Sequence, residues 1–164
     1  MAPDKDYFRL LGLPFSYNLT EQVLEERYLS LQRQFHPDNF EEFAEKNWAT
    51  SLSAELNAAY QTLRDPLLRA LYLLKHQIKT LPEGSLLDEA FLMEQMTLRE
   101  DIEEAAGKPL LLQTLYKNVK EKLSVLEQGL FLTFKEYPLA EEKVEKAMLL
   151  VQKIQFYQRL VERF

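Results

Sequence analysis

The sequence predicts an all-α protein, composed of an N-terminal helical hairpin and a C-terminal bundle of three helices. Only 4 of its residues are glycines and 7 are prolines, which favours helices over a turn-rich β-sheet protein. Apolar residues recur at steps of three and four along most of the chain, the spacing of amphipathic helices. Where prolines and glycines interrupt that spacing, we expect helices to end. On this basis we divide the chain into a hairpin domain at 1–75, a linker at 76–87 and a bundle at 88–164.

The hairpin domain begins with a short helix predicted over residues 4–11, which Gly12 ends. The next helix carries an apolar stripe of Leu24, Tyr28, Leu31 and Phe35. This helix should stop at His36, because Pro37 disfavours the helical conformation in the residue before it and lacks a backbone donor. The returning helix carries the stripe of Trp48, Leu52, Leu56, Ala59 and Leu63. Two antiparallel helices joined by this loop place His36, Pro37 and Asp38 at an exposed tip.

The hairpin is followed by one more helical segment and a linker. Pro66 ends the returning helix, because the residue before a proline is pushed out of the helical region. Residues 66–74 then continue with a high apolar content at helical spacing. Residues 79–84, which include Pro82, predict a linker or hinge.

Three helical patterns make up the bundle. The first runs from about residue 88 to residue 105 and carries Phe91, Leu98 and Ile102 on one face. Gly107 and Pro109 separate it from the second helix, whose stripe is Leu112, Tyr116, Val119, Leu123, Leu126 and Leu130. Tyr137 and Pro138 end that helix, and the third carries Ala147, Leu150, Ile154, Tyr157, Val161 and Phe164. Short loops between antiparallel helices of this kind predict a small bundle.

Composition excludes several classes of function. There are no cysteines and 2 histidines, so the sequence predicts neither a disulfide nor a metal or cofactor site held by this chain alone. A net charge of −6 argues against nucleic-acid binding, which requires a basic surface. No apolar run is long enough to span a membrane. The first residues resemble neither a secretion signal nor a transit peptide, so we expect a mature or cytoplasmic protein.

The tip is the first candidate site. An exposed imidazole beside a carboxylate suits contact with a partner, but His36 and Asp38 could equally cap the helices of an ordinary turn. A third interpretation is an enzyme that uses His36 and Asp38 as a catalytic pair. The sequence contains no glycine-rich phosphate loop and no GxSxG element, and its spacing specifies no third catalytic group. We therefore expect a regulator or binding protein and not an enzyme.

The order of these elements resembles the J domain of DnaJ-type co-chaperones. The resemblance lies in Asp-Tyr-Phe-Arg-Leu-Leu-Gly-Leu at 6–13, the helix that ends in Phe35, the His-Pro-Asp tip and the long helix closing at Leu63. It implies that His36, Pro37 and Asp38 stimulate the ATPase of a DnaK-type chaperone, together with a basic helix face. Only Arg27 and Arg33 remain of that face, and Asn39 replaces the basic residue that often follows the tip. A specialised chaperone partner is therefore expected.

A second candidate surface lies on the first helix of the bundle. Leu92, Met93 and Met96 fall beside the predicted core stripe, and Glu100 and Glu104 continue the same side. Phe156 on the last helix falls one residue off its stripe, and we expect it to be exposed as well. Spacing alone leaves two interpretations open. These residues either form a partner surface or pack against the helical segment at 66–74.

The whole chain resembles HscB, a family of co-chaperones of iron–sulfur cluster assembly. The resemblance adds Arg-Ala-Leu-Tyr-Leu-Leu at 69–74, Phe-Leu-Met-Glu-Gln at 91–95 and Leu-Arg-Glu at 98–100 to the J-domain elements. It implies that the bundle binds the scaffold protein IscU and that the tip stimulates the chaperone HscA. The implied scaffold-binding residues are Leu92, Met93, Met96, Thr97, Glu100, Glu104 and Phe156.

Two departures from the family pattern qualify these expectations. Thr97 replaces an acid that is often found at that position, which weakens the polar half of the surface. Animal members add a cysteine-rich N-terminal region, which this sequence lacks, so a bacterial cytoplasmic member is expected. We expect a monomer. The alternative function is a J-domain co-chaperone that delivers a different client.

Overall fold

Every regular element that the structure describes is a helix. The structure is a computed structural model, and it describes residues 6–78 and 87–164. Its α-helices are α1 (Tyr7–Leu10), α2 (Glu21–Gln34), α3 (Phe43–Arg64), α4 (Pro66–Ile78), α5 (Glu89–Glu104), α6 (Pro109–Thr133) and α7 (Glu141–Val161). Single turns of 3-10 helix occur at Pro37–Asn39 and Phe134–Glu136. The two described ranges contain no strand, which confirms the all-α fold class. None of the helices in them has a stretch long and apolar enough to cross a bilayer.

The chain divides into two compact units, Met1–Leu73 and Leu74–Phe164, and the boundary falls within α4. The predicted linker at 76–87 is only partly covered by the structure. Residues 76–78 belong to α4, whereas 79–84, with Pro82, are among the residues that the structure does not describe. The domain bounds expected from the sequence therefore remain a prediction.

Short polar side chains set the helix ends in both units. Asp6 caps α1 by accepting a hydrogen bond from the backbone N–H of Arg9 at 3.0 Å. Gly12 follows that helix with a φ of 65°, a left-handed conformation that glycine adopts without steric cost. Asp65 ends α3 and caps α4, because its Oδ1 accepts hydrogen bonds from the backbone N–H groups of Leu67 and Leu68. One residue thus makes the sharp turn between two long helices.

The core of the N-terminal unit is aliphatic and aromatic. Its fully buried side chains include Phe8, Leu11, Leu24, Leu56 and Leu63. Tyr28 on α2 stacks on Tyr60 of α3 with ring centroids 4.2 Å apart, which aligns the two helices of the hairpin. Beside this core, Arg69 of α4 is buried and donates hydrogen bonds to backbone carbonyl oxygens.

The C-terminal unit is built on α6 and α7, and α5 packs against them. Its buried side chains include Val119, Leu123, Leu130, Val151 and Ile154. The side-chain amide of Gln77, near the end of α4, binds both backbone groups of Leu139. It donates to the Leu139 carbonyl oxygen at 2.6 Å and accepts from the Leu139 N–H at 2.9 Å. This pair fixes the end of α4 to the loop between α6 and α7.

Candidate functional site

The tip of the hairpin is exposed, as the helix-ending proline predicts. The side chain of His36 is 54% exposed and that of Asp38 is 88% exposed. His36 Nδ1 accepts a hydrogen bond from the backbone N–H of Asp38 at 3.3 Å, so His36 caps the short 3-10 helix. The tip is therefore exposed, and the capping interpretation holds for His36 but not for Asp38, whose backbone N–H is the capped group. With Nδ1 used as the acceptor, a neutral imidazole carries its proton on Nε2. The Asp38 Oδ2 lies 3.5 Å from His36 Nδ1, and the Asp38 side chain is still exposed enough to contact a partner.

Asn39 holds the tip in place by capping α2. Its Nδ2 donates hydrogen bonds to the carbonyl oxygens of Arg33, at 2.7 Å, and Gln34, at 3.4 Å. These carbonyls belong to the last turn of α2, where helices leave acceptors without intrahelical partners. Sequence reasoning noted Asn39 only as a missing basic residue and missed this role. A short amide just beyond a proline-ended helix is a sequence signal from which this cap could have been predicted.

Aromatic rings brace the tip from the side of α3. Trp48 meets Phe35 and Phe40 edge to face, with ring centroids 5.7 and 6.0 Å apart. The sequence placed Trp48 in the apolar stripe of α3, yet it is 53% exposed. It lies near the start of α3, where its ring covers the two phenylalanines that flank the tip. The tip is thus held in place both by the Asn39 cap and by the packing of Trp48 against Phe35 and Phe40.

The two basic residues expected beside the tip lie apart on the exposed surface of α2. Arg27 and Arg33 are both exposed on α2. Six positions along a helix place them about 120° apart around its axis.

The second predicted surface is exposed over most of its residues. Leu92, Met93 and Met96 are 46%, 57% and 55% exposed. Thr97, Glu100 and Glu104 are exposed on the same side of α5. We call these six residues, Leu92, Met93, Met96, Thr97, Glu100 and Glu104, the α5 face. The Thr97 hydroxyl donates to the Met93 carbonyl oxygen at 3.1 Å, so its polar group is already used within the helix.

Phe156 is not part of this exposed surface, and the expectation that its side chain is exposed is wrong. It is 8% exposed, and its ring lies edge-on to Phe91 with centroids 5.6 Å apart. The neighbouring Tyr157 is also buried. Both are covered because α7 contacts α5 on one side and α6 on the other, so its buried face is wider than a single stripe. The Phe156 ring therefore packs against the buried side of α5.

A polar network ties α5 to the other two helices of the bundle. The Glu94 carboxylate on α5 accepts hydrogen bonds from Lys122 of α6 and from the Tyr157 hydroxyl of α7, the latter at 2.8 Å. Burial alone raises the pKa of the Glu94 carboxyl, but the bonds from Lys122 and Tyr157 outweigh it and leave that pKa below its ordinary value. Burial, and then the bond to Glu94, raise the pKa of the Tyr157 hydroxyl. At neutral pH the Glu94 carboxyl is therefore ionised and the Tyr157 hydroxyl keeps its proton, which are the states that the hydrogen bond between them requires.

No metal centre is formed in the part of the chain that the structure describes. Within residues 6–78 and 87–164, no three histidine, aspartate or glutamate side chains converge in a way that holds an ion. The two candidate sites consist of side chains that suit contact with other proteins. The tip offers an imidazole and a carboxylate, and the α5 face offers apolar side chains rimmed by acids.

Comparison with known proteins finds a matching family model and similar solved structures. Residues 87–164 match the model of a family described as the HSCB C-terminal oligomerisation domain. The crystal structure of human co-chaperone protein HscB is 30% identical to this chain with a TM-score of 0.85, covering 99% of this chain and 82% of that chain. Chaperone HscB from Vibrio cholerae is 32% identical with a TM-score of 0.78, covering 97% of this chain and 94% of that chain.

Proposed function

Because the chain belongs to the HscB family of co-chaperones, we propose that it binds an IscU-type iron–sulfur scaffold protein and stimulates the ATPase of an HscA-type chaperone. The observation that carries this proposal is the tip, with His36 and Asp38 exposed at its end. The tip is held by the Asn39 cap and the Trp48 packing, so little conformational entropy is lost when a partner binds it.

In this proposal the chain is a regulator and performs no chemistry of its own. The hydrolysis takes place in the partner chaperone, and the tip supplies contacts that favour its active state. The carboxylate of Asp38 suits a charge-assisted hydrogen bond to a basic group of the chaperone. The imidazole of His36 supplies a donor at Nε2 while its Nδ1 shapes the tip.

The α5 face is the scaffold-binding surface in this proposal. Leu92, Met93 and Met96 are large apolar side chains that expose about half of their surface to water. Covering them with a partner releases that water, and methionines adapt to an irregular partner surface. The acids Glu100 and Glu104 at the rim favour a partner with basic residues opposite them.

Steady-state phosphate release by a purified HscA-type chaperone tests the proposal. Wild-type protein should raise the rate several-fold, and IscU-type scaffold should raise it further. The variants His36→Gln and Asp38→Asn should abolish the stimulation while scaffold affinity stays unchanged. Their stability should also stay within about 0.5 kcal/mol of the wild type, as is usual for exposed positions. The control is His76→Gln, the same chemical change at the exposed histidine of α4.

Each of the other outcomes points to a different function. Full stimulation by the Asp38→Asn variant would contradict the role of the tip. A fall of several degrees in melting temperature together with the loss of stimulation would show that the tip is structural. Stimulation without any binding of the scaffold would favour a co-chaperone for a different client. Hydrolysis of ATP by the chain alone would favour an enzyme.

A further inference from the structure

Three arginines line one groove between α5 and α7. Arg99 reaches it from α5, and Arg159 and Arg163 reach it from the end of α7 and the residues just after it. The groove encloses a cavity of about 400 Å³. The side-chain amides of Gln95 and Gln155 also line it, and among residues 6–78 and 87–164 no acidic residue does. We call this feature the arginine groove.

None of the three guanidinium groups is paired with a carboxylate in the part of the chain that the structure describes. Arg159 Nε donates to the carbonyl oxygen of Gln155 at 3.1 Å, and the Arg99 guanidinium lies 6.0 Å from the centroid of the Phe156 ring. All three arginines are exposed. The protein has a net charge of −6, so three unpaired cations around one cavity form a local positive potential on an acidic molecule.

The chemistry of the groove suits an acidic peptide segment. Guanidinium groups bind carboxylates through two parallel hydrogen bonds, a geometry that lysine cannot supply. Glutamine amides both donate and accept, so Gln95 and Gln155 can bind the peptide backbone between acidic side chains. The floor is apolar where Phe156 and Leu160 line it, which covers the aliphatic part of a glutamate side chain.

The groove is continuous with the α5 face. Leu92, Gln95, Met96 and Arg99 follow one another at steps of three, one and three, so they share one side of α5. A protein that covers Leu92 and Met96 therefore reaches the arginine groove as well. The acids Glu100 and Glu104 lie on the opposite side of the same surface. One partner thus meets a negative rim on one side and a positive groove on the other.

We propose that the arginine groove binds an acidic segment of the client protein that covers the α5 face. The inference rests on the proposed function, since it assigns a second contact to the same client. It adds an electrostatic contact that fixes the orientation of the client, because reversing the client would place like charges opposite each other.

The experiment compares two double variants with the same change in charge. Arg159→Gln with Arg163→Gln removes two charges from the groove, and Lys120→Gln with Lys146→Gln removes two exposed charges elsewhere in the bundle. Affinity for an IscU-type scaffold is measured by titration calorimetry at low and high salt. The groove variant should bind about tenfold more weakly at low salt, and the difference should shrink at about 1 M salt, where the Debye length is about 3 Å. The control should bind like the wild type.

A peptide probe tests the groove without the scaffold. A hexaglutamate peptide should shift the side-chain Nε–H signals of Arg99, Arg159 and Arg163 in proton–nitrogen NMR spectra of the whole protein, and inorganic phosphate should not displace it. If the wild type does not bind the scaffold, the proposed function fails and the peptide result alone decides the chemistry of the groove. If the scaffold binds both double variants equally, or if phosphate shifts the signals and the peptide does not, the inference is wrong.

Discussion

Arg69 holds the N-terminal unit together through three backbone carbonyl oxygens. Its Nε donates to Leu63 at 2.7 Å, its Nη1 to Tyr17 at 2.8 Å and its Nη2 to Arg64 at 3.4 Å. Two of these carbonyls lie at the end of α3, where helices leave acceptors without partners. Burial lowers the pKa of the Arg69 guanidinium, so its charge is held in an environment that disfavours it. The three hydrogen bonds offset that cost.

Replacing Arg69 should therefore destabilise the N-terminal unit strongly. We expect Arg69→Ala to lower the free energy of unfolding by about 3 kcal/mol, because it leaves buried carbonyl groups unsatisfied. Arg69→Lys should recover less than half of this loss, since an ammonium group cannot span all three acceptors. Urea titration followed by the fluorescence of Trp48, the protein's only tryptophan, reports on this unit. The exposed Arg9→Ala is the control, and an equal loss in both variants would contradict the expectation.

Glu94 should make the stability of the C-terminal unit depend on pH. Its folded pKa lies below its ordinary value because Lys122 and Tyr157 bind the charged form strongly enough to outweigh partial burial. A depressed folded pKa gives stability that is fully present above the unfolded pKa, about 4.3, and is lost as the pH falls through the folded value. Glu94→Gln should therefore destabilise the unit at neutral pH and make little difference in strong acid.

Hydrogen exchange of α5 peptides measures this effect at the helix that the network holds. At neutral pH the Glu94→Gln variant should exchange faster than the wild type throughout α5. Glu127→Gln, an exposed carboxylate on α6, is the control and should exchange like the wild type. A difference between Glu94→Gln and the wild type that persists unchanged below about pH 3 would show that the ionised carboxylate is not what stabilises α5.

At the level of the element, the sequence analysis assigned residues of α5 and α7 to one exposed surface. The structure instead gives those of α5 an exposed position and Phe156 of α7 a buried one. Leu92 and Met93 are exposed, whereas Phe156 is buried against Phe91. Changing Leu92 and Met93 together to alanine should weaken binding of an IscU-type scaffold more than about tenfold, because a few apolar side chains carry most interface energy. The stability of the free protein should hardly change, since exposed side chains leave no cavity.

Phe156→Ala should behave in the opposite way. It removes a buried ring from the contact between α5 and α7, so we expect it to cost about 3–5 kcal/mol of stability. A melting curve and a calorimetric titration on each variant decide between the two roles. The matched control for the α5 face is Leu110→Ala with Leu111→Ala, two leucines that are 78% and 43% exposed at the start of α6. If that control weakens scaffold binding equally, the effect is not specific to the α5 face.

The sequence predicted most helices correctly because their ends carry strong local signals. Pro37 and Pro66 end helices through steric effects within a few residues, and Gly12 ends α1 with a positive φ. The burial of Phe156 could not be predicted in this way. A stripe identifies one buried face, but α7 is covered by two neighbouring helices, and the second contact depends on where α5 packs. Asn39 was missed for a different reason, because it was compared only with the basic residue expected there, although its cap of α2 is a local contact.

At the level of the whole molecule, the two candidate sites belong to different compact units. The tip lies in the unit Met1–Leu73 and the α5 face in the unit Leu74–Phe164. If the chain brings a client to its chaperone, both contacts must be made by one molecule. A covalent link raises the effective concentration of the second partner, often to the millimolar range for a short connection. Two separate chains at micromolar concentration do not provide this increase.

Two defective variants mixed together should therefore fail to replace the wild type. The mixture contains equal amounts of the Asp38→Asn protein and the Leu92→Ala, Met93→Ala double variant. We expect it to give none of the stimulation of the chaperone ATPase that depends on the scaffold. Wild-type protein at half the total concentration is the control, and it should retain that part. Restoration by the mixture would mean that the two sites act independently or that chains associate. Sedimentation velocity separates these cases, because association through the C-terminal unit would bring an intact tip and an intact α5 face into one particle.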